Sequence, residues 1–124
     1  MFDASISFLR VRDLGATAAF YEGMLGLELV LDQGRCRIYR ASADGYLGFC
    51  QGQTGQSDTS RVILTLVSDD VDDWHRKLAD RGVTFEKPPV FNEAFNIYHC
   101  LFRDPDGYLL EIQRFEDPAW PRKS

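Results

Sequence analysis

Few side chains in this sequence are equipped for chemistry. There are two histidines, His75 and His99, and three cysteines, Cys36, Cys50 and Cys100. A divalent metal in an oxygen and nitrogen site needs three or more carboxylate or imidazole groups converging on one point, and histidine alone cannot supply them here. The cysteines are odd in number and lack C-x-x-C spacing, so they fit neither a disulfide framework nor a zinc knuckle. They read as reduced, buried thiols acting as small hydrophobes. One carboxylate stands apart: Glu111, inside the segment LLEIQRF. It can act as a general base, or accept a hydrogen bond from a ligand cation or hydroxyl. Left without a partner among apolar groups, it would be pushed towards a higher pKa by desolvation. The competing reading is a carboxylate paired with Arg10 or Arg40, satisfied and inert.

The elements that must position these residues repeat. Ile6 to Val11 reads as a strand, and Asp13 caps a helix running to about Leu25, with Gly26 ending it in a left-handed turn. Strands follow at Leu27 to Leu31, Arg35 to Ala41 and Tyr46 to Gln51. After the polar, glycine-containing stretch 52–59, the order recurs. Val62 to Val67 is a strand. Asp69 or Asp70 caps a helix with Val71, Trp74 and Leu78 at helical spacing, and Gly82 stops it. Val83 to Glu86 is a short strand, and Ile97 to Arg103 and Tyr108 to Arg114 form a closing hairpin about Asp104-Pro105-Asp106-Gly107. FLRVRDL matches TLVSDDV at an offset of 57 (Leu14 to Val71), and ADGYL matches PDGYL at an offset of 62 (Asp44 to Asp106). The chain is thus expected to be α+β: a first βαβββ module over 1–51, a linker over 52–59, a second module over 60–115 and a tail over 116–124. The modules are expected to form a cup-shaped, partly open eight-stranded sheet with the helices outside.

Alternation assigns the cup lining. Leu9, Val11, Leu64 and Leu66 face the helices, which points Ile6, Phe8 and Arg10, and likewise Ile63, Thr65 and Val67, into the cup. The same parity adds Leu47, Phe49 and Gln51 from one hairpin and Leu109, Glu111 and Gln113 from the other. Counting from the Asp104–Gly107 turn sets Cys100 opposite Glu111 and sends His99 to the other face; a bulge would reverse this. Arg40 and Tyr98 are further candidates to contact a ligand, and the insertion Lys87–Asn96 carries Phe91 and Phe95, either as an aromatic lid or as a connection packed on its own module. His75 sits among charged neighbours on the second helix and is expected to be exposed. Trp120, in the tail, either folds back onto the barrel edge or meets a second subunit.

Three phrases, FLRVRDLGATAAFYEGMLGLELV, DDVDDWHRKLADRGV and FRDPDGYLLEIQRF, resemble the vicinal oxygen chelate superfamily of glyoxalases, extradiol dioxygenases and the fosfomycin and bleomycin resistance proteins. The likeness covers roughly Ile6 to Phe115. It implies the tandem βαβββ fold and, in members that do chemistry, a divalent metal with ligands on equivalent strands of both modules. Carried onto this chain, those positions fall on Ile6, Phe49, Ile63 and Glu111, so only Glu111 can ligate. The resemblance therefore implies a metal-independent protein with no cofactor, binding a small apolar or aromatic molecule in the cup. The alternatives are a lyase or isomerase using Glu111 as base, and a structural homodimer whose cup is filled by its own side chains.

Composition narrows the partners. The chain has 124 residues, 44% hydrophobic and 27% charged, which is ordinary globular composition. A net charge of −5 and a pI near 4.9 argue against nucleic acid, whose phosphates require clustered Lys and Arg. The N-terminal MFDASISFLRVRD does not read as a signal peptide, and no segment approaches the ~20 apolar residues of a membrane span. A cytoplasmic, membrane-free setting and homodimer formation through exposed sheet edges are the corresponding expectations.

Overall fold

The computed structural model describes residues 1–52 and 58–121; residues 53–57 of the expected linker lie outside the described residues. Two four-stranded sheets and two helical segments follow the order strand, helix, three strands, twice over. The tandem α+β arrangement expected from the sequence repeat is the one found. The chain divides into two compact units: residues 1–59 with 104–107, and residues 60–103 with 108–124.

In the first unit, β1 (Ser5–Val11), β2 (Glu28–Asp32), β3 (Cys36–Arg40) and β4 (Gly45–Gln51) form a sheet in the order β1-β4-β3-β2. β1 runs parallel to β4, and the remaining pairs are antiparallel. Between β1 and β2 lies α1 (Leu14–Ala18), capped by Asp13, whose carboxylate accepts from the Gly15 and Ala16 amides. The helix then widens into a π-helical stretch over Ala19–Met24, where the Leu25 amide donates to Phe20 five residues back. That widening sets Tyr21 into the core, its ring 4.3 Å from Phe49. Gly26 closes the segment at φ 71°, the left-handed turn expected there.

In the second unit, β5 (Ile63–Val67), β6 (Phe85–Asn92), β7 (Ile97–Arg103) and β8 (Leu109–Phe115) follow the order β5-β8-β7-β6, with β5 parallel to β8. α2 (Val71–Asp80) buries Val71 and Leu78 fully, and its other side carries Asp72, Asp73, Arg76 and Lys77. This is the apolar stripe and charged face that its sequence spacing predicts. Lys77 pairs with Asp73 one turn away at 2.9 Å. His75, expected to be exposed, is half-buried with its ring 4.5 Å from Phe85.

Two local expectations are corrected. The third strand of the second module does not stop at Glu86 but runs to Asn92. The segment holding Phe91 and Phe95 is therefore strand and hairpin turn, paired with β7 of its own module, as the second of the two readings expected. Pro88 and Pro89, which have no amide proton to give the ladder, fall where the register shifts between Lys87 and Val90. Cys36 and Cys50 are not reduced fillers but a cross-strand disulfide, set opposite each other on β3 and β4 with Cα atoms 4.1 Å apart. Cys100 is the buried free thiol of the set. The tail returns on itself, and Trp120 stacks on Phe115 at 4.0 Å.

Candidate functional site

Sheet register decides which side chains meet. On the first sheet, Ile6 pairs with Tyr46, Phe8 with Gly48 and Arg10 with Cys50, while Arg40 pairs with Tyr46 across β3 and β4. Paired residues share a face, so these make up the side away from α1. Ile6 and Phe8 are 43% and 56% exposed. Leu47 and Phe49, expected on that same side, are instead buried on the helix side; Gln51 joins them there and accepts from the Leu14 amide. Arg40 keeps the open face but is engaged locally, by Glu28, the Ala43 carbonyl and the Tyr46 hydroxyl.

On the second sheet, Ile63 pairs with Leu109, Thr65 with Glu111 and Val67 with Gln113. Across β7 and β8, Leu101 pairs with Glu111 and His99 with Gln113. His99 is therefore on the Glu111 face, and Cys100 is on the helix side opposite Ile112. Both reverse the expectation. The cause is the turn: Arg103 pairs with Leu109, so the loop is five residues long, and Tyr108, buried outside the strand, is its last. A one-residue slip moves every side chain of a strand to the other face. Tyr98 goes to the helix side as well, where its hydroxyl donates to Asp72. Burial pushes the Cys100 thiol up to about 11, an inert thiol.

The polar group that results belongs wholly to the second unit. Glu111 accepts from the Thr65 hydroxyl at 2.9 Å on one oxygen, and His99 Nδ1 lies 2.5 Å from the other. With its amide turned to donate, Gln113 lies 3.1 Å from both oxygens. The His99 and Glu111 side chains are only 6% and 13% exposed. Around them the same face carries Ile63 and Val67, 58% and 50% exposed, with Leu101 and Leu109 half-buried. Glu111 is thus neither stranded among apolar groups nor paired with Arg40; its partners are an imidazole, a hydroxyl and an amide.

Among the described residues, the first unit has no equivalent. Register aligns the two modules' last strands at an offset of 63, since Phe8 pairs with Gly48 where Thr65 pairs with Glu111. The counterpart of Glu111 is therefore Gly48, not Phe49. The Phe8 ring lies across Gly48 so closely that a Cβ there has no room. Hydrophobic patterning could have found both corrections: in β7 and β8 one face reads Cys100, Phe102, Leu110, Ile112, and the other His99, Glu111, Gln113.

Residues 4–112 match the family model of the Glyoxalase/Bleomycin resistance protein/Dioxygenase superfamily. The chain belongs to this family. Its fold is shared with an integron cassette protein from the mobile metagenome of the Halifax Harbour sewage outfall, at 20% identity and a TM-score of 0.78, covering 90% of this chain and 97% of that one. A glyoxalase/bleomycin resistance protein/dioxygenase from Nocardioides aligns at 19% identity and a TM-score of 0.78, covering 97% and 87%. A lactoylglutathione lyase from Agrobacterium tumefaciens aligns at 22% and 0.71, covering 88% and 90%. No protein of curated function matches the chain.

The divalent metal of the glyoxalase superfamily's chemically active members does not fit the residues present. Of the carried-over positions, Ile6, Ile63 and Phe49 have no donor atom in their side chains, and neither has Gly48, which the register makes the counterpart of Glu111. Among the described residues, no group of three or more His, Cys, Asp or Glu is placed to hold an ion. Glu111 and His99 are two donors, and they are already bonded to each other.

Proposed function

We propose that this glyoxalase-family protein binds a small apolar or aromatic molecule, without a metal, against the open face of its second sheet. The observation that carries this reading is the composition of that face: one half-buried, fully hydrogen-bonded carboxylate group among Ile63, Val67, Leu101 and Leu109. Apolar walls with a few fixed polar groups are the usual make-up of a small-molecule site. A thermal-shift screen of small aromatic alcohols, amines and ethers tests it. Stabilisation of the wild type is expected, with affinity about tenfold lower in Glu111→Gln, equivalent to ~1.4 kcal/mol. A screen without hits, or a variant that responds like the wild type, refutes the reading. Metal content measured by plasma mass spectrometry after dialysis against zinc, manganese, iron and nickel should stay far below one ion per chain; a ratio near one refutes metal independence.

A second reading is favoured by the 2.5 Å contact of His99 Nδ1 with Glu111, an acid–base pair suited to moving a proton in a lyase or isomerase reaction. Deuterium exchange from solvent into the α-carbon of hydroxyketone substrates, lost in Glu111→Gln, would support it. Self-association is proposed through the free edge of β2, whose Leu29 and Leu31 are exposed. Light scattering at two concentrations reads it directly. The disulfide removes one ground for expecting a cytoplasmic location, since such bonds are rare in reducing compartments; among the described residues no helix is long and apolar enough to cross a membrane.

A further inference from the structure

Glu111 has little acceptor capacity left for a ligand. One oxygen takes the Thr65 hydroxyl, the other faces His99 Nδ1, and the Gln113 amide reaches both. In this cluster the carboxylate is the acceptor, so His99 turns an Nδ1 proton towards it. In the neutral ring the lone pair then resides on Nε2. That nitrogen is buried and has no hydrogen-bond partner among the described residues. A buried polar atom of this kind calls for a partner from outside the protein. The register sets apolar residues on the same face beside His99: Val90 on β6 pairs with it, and the next rung towards the tail is Ile97 with Phe115, on which Trp120 stacks.

We propose that His99 Nε2 is the atom that receives the ligand, that Glu111 is its positioning residue, and that the ligand is a small aromatic or apolar molecule bearing a hydroxyl or N–H donor. The inference rests on the reading that this face binds a small molecule, and it changes which atom makes the contact. A site built to accept a hydrogen bond discriminates against an analogue without the donor, because its own buried group is then left unmet. Phenol and anisole differ in that one respect.

The test uses whole, 15N-labelled protein in alkaline buffer, where a free imidazole is neutral. Long-range 1H–15N correlation reads which ring nitrogen of His99 carries the proton. The expected result is a protonated Nδ1 and a bare Nε2, whose resonance moves on adding phenol, with phenol binding at least tenfold more tightly than anisole. Glu111→Gln should loosen the tautomer and erase most of that discrimination; the wild-type measurements stand without it if the variant folds poorly. A protonated Nε2 overturns the inference. So does equal binding of phenol and anisole with Nε2 unmoved, an outcome that leaves small-molecule binding intact. Absence of any response to either compound overturns both.

Discussion

The carboxylate of Glu111 and the ring of Phe8 occupy corresponding places in the two modules, and they answer the same problem differently. In the second unit a polar group is admitted and then satisfied by Thr65, His99 and Gln113. In the first, the place is emptied to Gly48 and covered by an aromatic ring. Gly48→Ala should therefore cost about 1 kcal/mol with Phe8 present and become neutral or stabilising in a Phe8→Ala background, a coupling readable in a double-mutant cycle of urea melts. Additive effects would mean that Phe8 yields freely. Tyr21 offers a second check at this scale. Its hydroxyl donates to the buried Asp104 carboxylate at 2.9 Å, so Tyr21→Phe should lower stability by about 1.5–3 kcal/mol. A loss below half a kilocalorie would show that Asp104 is held by other groups.

At the level of elements, the sequence carried the order of strands and helices, their caps at Asp13, Gly26 and Gly82, and the outward side of β1 and β5. These follow from short-range periodicity and from residues with one dominant use. It misled on the facing of the last hairpin strands, because matching Asp-Gly-Tyr tips at an offset of 62 concealed strands in register at 63. Turn length fixes facing, and Tyr108 is strand-like in composition yet spends itself in the turn. The disulfide was equally out of sight, since pairing Cys36 with Cys50 requires the β3–β4 register and not the residue count. With 14 residues of separation, that bond should stabilise the protein by about 3 kcal/mol. Urea denaturation with and without reductant measures it. Identical midpoints would contradict the bond's contribution, while Cys36→Ser/Cys50→Ser should behave as the reduced protein.

For the molecule as a whole, buried acids that prefer to stay neutral set an alkaline limit. Burial, reinforced by the Glu22 carboxylate that accepts from its hydroxyl, pushes Tyr39 up to about 12, and burial pushes Cys100 to about 11. Both groups lose protons in the unfolded chain before they do so in the folded one. Stability is thus fully present below the ordinary thiol and phenol values and falls as pH climbs from about 9 towards 12. Chemical melts across that range should show a declining midpoint, with the upper part of the decline reduced in Tyr39→Phe. A flat profile would mean that these groups ionise as easily folded as unfolded.

The tip of the β7–β8 hairpin belongs to the first unit, where Asp104 meets the Tyr21 hydroxyl and Asp106 accepts from the Arg12 amide. The corresponding positions carry other residues: at the register offset Asp104 becomes Ala41, and Tyr21 has Leu78 as its counterpart in α2. The two halves of the gene are consequently no longer interchangeable copies. A fragment ending at the linker would lack the carboxylates that its own tyrosine and arginine require, so residues 1–59 expressed alone should fail to fold until residues 60–124 are supplied in trans. Fragment complementation followed by circular dichroism reads this directly: structure recovered only on mixing means that the first unit depends on the hairpin tip carried by the second half of the chain, and a fragment 1–59 that folds alone means that it does not.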